Sequence, residues 1–148
     1  MSLKNVLGPE NVALHLQGKT KEAIIDELIA VASNTGKIKD PIAVKLSVLE
    51  RERRMSTGMK HGIAIPHGKT NSVSELVACF GVADNGVDFD ALDREPCRIF
   101  IMTISPADKT GPHLQFLAEV SKLFKSSEKR DAILAAASSQ EVIDILLS

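Results

Sequence analysis

The run Gly62-Ile63-Ala64-Ile65 ends abruptly in Pro66-His67-Gly68. Proline fixes its own φ and restricts the residue before it, and glycine admits an unusual backbone turn just after. The spacing predicts a short strand over 63–65, with His67 held on a tight turn at its end. Strand ends and their loops are where α/β proteins keep their sites. Imidazole is a good nucleophile near neutral pH and can form a covalent intermediate. A second histidine, His113, opens a predicted helix after Gly111-Pro112. Arg51 leaves another predicted helix just before the glycine-punctuated stretch Met55 to Gly62. All three side chains sit at element ends.

Each also has an ordinary structural reading. A histidine on a turn serves as a surface or capping residue, and Arg51 with Arg53 and Arg54 suits the negative end of a helix dipole. A protonated histidine is poorly placed at a helix start, which favours a neutral, hydrogen-bonding His113. His15 and His61 read as structural. A zinc site from His61, His67 and His113 lacks carboxylate or thiolate company and the usual spacing. No Ser-His-Asp spacing supports a hydrolase.

These side chains need a scaffold, and the pattern of short apolar runs between amphipathic segments points to an α/β layer structure. Val12, Leu14 and Leu16 alternate with Ala13 and His15 as a first strand. Thr20 caps a helix carrying Ile24, Leu28 and Val31 in one stripe, with Ile25, Ile29 and Ala32 beside it, and Asn34-Thr35-Gly36 stops it. Asp40-Pro41 starts the next helix, with Ile42, Leu46 and Leu49 on a shared face. Leu76 to Val82 and Arg98 to Ile104 are near-continuous apolar strands, of the kind covered by helices on both faces. A helix from His113 to about Lys125 places Leu114, Leu117, Ala118, Ser121 and Phe124 on one side. Ser126 or Ser127 caps a short helix through Ala137. Ser138 to Glu141 forms a capping box before a last helix bearing Val142, Ile143, Leu146 and Leu147.

Composition closes several function classes. The 148 residues suit one domain, 1–148, and 44% hydrophobic residues suffice for a packed core. Eighteen basic residues against 19 acidic ones give a net charge of −1. Bulk-charge binding of nucleic acid is therefore not expected. The apolar stretch 76–83 is far shorter than the roughly 20 residues a spanning helix needs. No signal peptide is indicated, and a cytoplasmic protein is expected. Cys79 and Cys97 sit in apolar surroundings and read as reduced core residues. With five Phe, no Trp and no Tyr, there is no aromatic platform for stacking bases or sugars.

Taken together, Leu49-Glu50-Arg51-Glu52, Ser56-Thr57-Gly58 and Gly62 to Gly68 resemble the IIA domain of the mannitol/fructose class of the bacterial phosphoenolpyruvate-dependent sugar phosphotransferase system. The resemblance continues through Asn85 to Asp93, through the strand and exit turn of Pro96 to Pro106, and through His113-Leu114-Gln115-Phe116-Leu117-Ala118. It implies a single-domain α/β/α sandwich with a mixed central β-sheet. It implies that His67 takes a phosphoryl group from a phosphohistidine of HPr and passes it to a cysteine of a IIB domain. His113 and Arg51 match the family's second histidine and arginine. Thr57 and Gly58 match its Thr-Gly segment near the site.

The chemistry suits these residues. Phosphoryl transfer needs in-line positioning and stabilisation of the equatorial oxygens. Arg51 offers a positive fork and His113 a directed N–H. The attacking nitrogen of His67 must be free, with the other best held by a carbonyl or side chain. No metal or other cofactor is expected. Two departures add positive charge where the family often has glycine: Lys60, a candidate for phosphate or partner binding or else a solvated charge, and Arg94. A branch of the same family, the nitrogen-regulatory IIA-like proteins, works by binding other proteins in one phosphorylation state, which is the alternative function.

Overall fold

Strands here are apolar on both faces, and that requires helices on both sides. The computed structural model describes residues 3–109, 111–123 and 125–148. Its elements run α1 (Leu3–Val6), a 3-10 turn (Pro9–Asn11), β1 (Val12–Leu16), α2 (Lys21–Ser33), α3 (Pro41–Arg54), β2 (Ile63–Ala64) and β3 (His67–Lys69). They continue with β4 (Val77–Val87), β5 (Cys97–Ser105), α4 (Gly111–Leu123), α5 (Ser127–Leu134) and α6 (Ser139–Leu147).

The sheet has the order β1-β4-β5-β2, and β3 also pairs with β5. β1 runs parallel to β4, β4 antiparallel to β5, and β2 and β3 parallel to β5. The sheet is mixed, as the resemblance implied. Successive side chains alternate between two cores. Val77, Cys79, Phe100 and Met102 pack with Ile24 and Leu28 of α2 and Val44 and Val48 of α3. Ala78, Phe80, Ile99 and Ile101 pack with Phe116 and Val120 of α4 and Val142 and Leu146 of α6. Both cysteines are buried and free, and burial pushes the Cys79 thiol up to about 12 and that of Cys97 to about 11. They are protonated and inert near neutral pH.

The caps follow from the residues. Thr20 accepts from the N–H of Ala23 and Asp40 from those of Ile42 and Ala43, with Pro41 at the first helical position. Ser126 and Ser138 cap α5 and α6. The capping box differs in one arm. Glu141 accepts from the N–H of Ala137 at 3.0 Å, one residue before the serine.

Three expectations change. His67 does not lie on a turn: it opens β3, in register with Thr103 of β5. Ile65-Pro66 divides β2 from β3, because proline has no N–H to offer a ladder, yet the Pro66 carbonyl still accepts from the Thr103 N–H at 3.2 Å. The phase of α3 also differs. Val44, Val48 and Glu52 face inward, whereas Ile42 is 73% and Leu46 61% exposed. On α4 the buried positions are His113, Phe116 and Val120, and Leu114 is 64% exposed. Phe124 lies outside the described residues. Among the described residues, no helix is long and apolar enough to cross a membrane.

Candidate functional site

Gly68 decides how closely α3 approaches the sheet. A Cβ there would stand 2.5 Å from Ser47 Oγ and 3.0 Å from the Val48 nitrogen. Only a missing side chain permits this approach. It brings the middle of α3 against β3, with Arg51 one turn further along, and α4 brings His113 beside His67. The result is a cleft of about 650 Å³ whose lining includes Arg51, Arg54, His67, Lys69, His113 and Leu114.

The two histidine rings lie side by side, with centroids 4.9 Å apart and planes tilted by 41°. Half-buried His67 places Nδ1 3.0 Å from the carbonyl oxygen of Ile65. A carbonyl can only accept, so Nδ1 carries the hydrogen and the neutral ring keeps its lone pair on Nε2. Burial lowers the pKa of His67 below the ordinary 6.5; the charges of Arg51 and Lys69 act in the same direction, and the Ile65 carbonyl and Glu52 act against it. His113 is buried, with Nδ1 3.0 Å from Thr103 Oγ1. Burial, reinforced by His67 and Lys69, pushes its pKa down to about 4. Both rings are neutral near pH 7.

Arg51 spends one nitrogen on the structure: Nη1 donates to the Met55 carbonyl at 2.7 Å, closing the end of α3. That bond anchors the guanidinium at the rim and leaves further N–H groups for a ligand. Arg54 pairs with Glu50 at 3.2 Å, one turn apart. With Lys69, the cleft carries more positive than negative charge and suits an anion.

Thr57, Gly58 and Lys60 lie elsewhere. None of them lines the cleft. Thr57 is buried, and its N–H donates to Glu52 Oε2 at 2.7 Å while its hydroxyl donates to Glu52 Oε1. Lys21 reaches the same carboxylate at 3.3 Å. The Thr57 carbonyl then accepts from the Ile65 N–H at 3.1 Å, and Ile65 is the residue whose own carbonyl holds His67. Gly58 is pinned against the following loop, where a Cβ would stand 2.8 Å from Ala91 Cα and 2.9 Å from the Phe89 oxygen. Thr57 and Gly58 thus brace the segment behind His67. Lys60 is exposed. Arg94 adopts φ 62°, a left-handed conformation that favours glycine.

Two residues of this arrangement were missed in the sequence. Glu52 reads as one more charge in a helix-end cluster; its signal is the i, i+4 spacing that continues the stripe of Val44 and Val48. Thr103 reads as part of an apolar strand; its signal is that it is the one hydroxyl in the run Ile99 to Ile104. Among the described residues, no group of three His, Cys, Asp or Glu side chains could hold a metal ion.

Known proteins resemble this chain along nearly its whole length. The fructose-specific EIIABC component of Bacillus subtilis is 36% identical over 99% of the chain, which spans 23% of that larger protein. The fructose-specific EIIA component of Haloferax volcanii is 36% identical over 93% of the chain and 89% of its own length. The crystal structure of the nitrogen regulatory protein IIA-Ntr from Neisseria meningitidis superposes with a TM-score of 0.88 at 26% identity, covering 96% of this chain and 97% of that one. The family model for the phosphoenolpyruvate-dependent sugar phosphotransferase system, EIIA 2, matches residues 5–148. The chain is a member of that EIIA family.

Proposed function

We propose that this protein is a phosphocarrier whose His67 accepts a phosphoryl group from phospho-HPr in the cytoplasm and passes it to a cysteine of a IIB partner during sugar uptake. The observation that carries the reading is the bond from His67 Nδ1 to the Ile65 carbonyl within a cationic cleft. It leaves Nε2 as a neutral nucleophile beside two further polar groups, Arg51 and His113.

The step balances simply. The Nε2 lone pair attacks phosphorus, a P–N bond forms, and the P–N bond to the donor histidine breaks with its electron pair returning to that ring. As Nε2 becomes bonded, positive charge develops on the His67 ring, and the Nδ1–H bond to the carbonyl strengthens in response. Arg51 offsets the charge of the equatorial oxygens, the main task in such a transfer. Transfer onward reverses the geometry, with a thiolate attacking phosphorus and His67 leaving.

Incubation with phosphoenolpyruvate, enzyme I and HPr tests the reading directly. Intact mass should rise by one phosphoryl group in wild type and not in His67→Ala. A folded wild type that takes up no phosphate from active phospho-HPr overturns the carrier function.

The close superposition on a nitrogen regulatory protein favours a second reading, in which phosphorylation of the same cleft governs binding to a partner protein. The two separate on the next step. Prompt loss of the phosphoryl group to a fructose-type IIB supports the transport carrier, and a phosphorylated form that persists beside it supports the regulator.

A further inference from the structure

Thr103 joins the two histidines. It stands opposite His67 in the β3–β5 register. Its N–H holds the Pro66 carbonyl, one residue before His67. Its hydroxyl, on a fully buried side chain, lies 3.0 Å from Nδ1 of His113.

The proton in that last contact has two possible owners. If Nδ1 of His113 carried it, the threonine oxygen would accept, and the threonine's own hydrogen would need a second acceptor. Among the described residues, the hydroxyl meets no polar partner other than His113. A buried hydroxyl hydrogen left unpaired is costly. The satisfied arrangement has the hydroxyl donating to a bare Nδ1, which puts the ring hydrogen of His113 on Nε2. The contrast with His67 is chemical rather than geometric: its Nδ1 meets a carbonyl, which cannot donate.

We propose that Thr103 is a positioning residue that locks His113 in its Nε2–H form, so that this ring presents a hydrogen-bond donor, not a lone pair, to the phosphoryl oxygens. The role rests on the proposed transfer at His67. The opposite tautomer would turn a lone pair towards an anion and oppose the reaction. The two adjacent rings thus take opposite tasks: the Ile65 carbonyl leaves His67 a nucleophilic Nε2, and Thr103 leaves His113 a proton on its own.

Nitrogen NMR of the histidine rings near pH 7 tests this on the unphosphorylated protein. Wild type should show His113 as the Nε2–H tautomer. Thr103→Val, similar in shape without the hydroxyl, should populate the Nδ1–H form and slow transfer from phospho-HPr by roughly ten- to a hundredfold. That is less than the 10²–10³ lost when an oxyanion donor is removed outright. Thr103→Ser should restore both tautomer and rate. A wild-type His113 carrying its hydrogen on Nδ1 overturns the proposal without any variant. So does a Thr103→Val protein with unchanged tautomer and rate. If His67 takes up no phosphate, the carrier reading fails while the tautomer measurement still reports on Thr103, so the two failures are distinct.

Discussion

Arg51 and Glu52 are consecutive residues at the end of α3, and they serve two regions built on opposite rules. Arg51 borders the histidine cleft with most of its hydrogen-bonding capacity unspent. Glu52 is buried behind the cleft, with its carboxylate bonded to the N–H and hydroxyl of Thr57 and to Lys21. Successive side chains of an α-helix stand about 100° apart, so a single helix end supplies both regions. The cleft holds polar groups open for a ligand. The brace satisfies its polar groups internally, as a buried charge requires. Substitutions in the cleft should therefore cost rate, and those in the brace should cost stability.

Arg51→Ala is the sharpest test on the cleft side. Phosphoryl transfer from phospho-HPr should slow by roughly 10²–10³-fold, as for loss of an oxyanion donor, while the melting temperature changes little. A large drop in melting temperature with a preserved rate would break the comparison. On the brace side, Glu52→Ala strands the buried donors of Thr57 and leaves Lys21 with Asp90 as its carboxylate partner. Denaturant unfolding should show a loss of about 3 kcal/mol, with the transfer rate of the folded protein falling less than about tenfold. Near wild-type stability would remove Glu52 from the frame.

Gly68→Ala probes the seam between the regions. The added methyl meets Ser47 and the α3 backbone, so α3 must retreat. Overpacking of this kind costs roughly 1–3 kcal/mol, and it should also slow transfer by moving Arg51 away from His67. A rate loss without a stability loss, or the reverse, would show that the two regions are not joined at this contact.

The smallest effects come with pH. Because the pKa of His67 lies below 6.5, acceptance of phosphate should hold its plateau as pH falls through 6.5 and decline only below it. A midpoint at or above 6.5 would contradict the buried, neutral nucleophile. His113 affects stability instead. The unfolded chain protonates this ring near the ordinary 6.5, whereas the folded protein holds the proton off until about 4. The unfolded state binds more protons between those values, so stability falls as pH drops from 6.5 towards 4. His113→Gln should flatten that part of a melting-temperature profile.

What the sequence determined by itself is local. Asp40-Pro41 and Ser138 mark helix starts because a side-chain oxygen and a preset φ act within one turn. The runs around Phe80 and Phe100 announce strands covered on both faces. His67, His113 and Arg51 are visible because they are reactive or charged groups at element ends, and the family likeness links them. What tertiary structure decided is which way each element faces. On α3 the sequence offers two apolar stripes. The valine face was chosen: α3 lies against β3 at Gly68 with Val44 and Val48 in the core, and Ile42 and Leu46 stay exposed. On α4 the same choice buried His113 with Phe116 and Val120. His67 joined a strand because β5 supplied a ladder beyond the break at Pro66. The hydroxyl that holds His113 comes from β5, the strand facing His67, and is likewise a product of the assembled sheet, whereas the carbonyl that holds His67 lies two residues back in its own segment. Hydrogen bonds act over about 3 Å, and only the assembled sheet brings Thr103 within that reach of His113 and sets both beside His67.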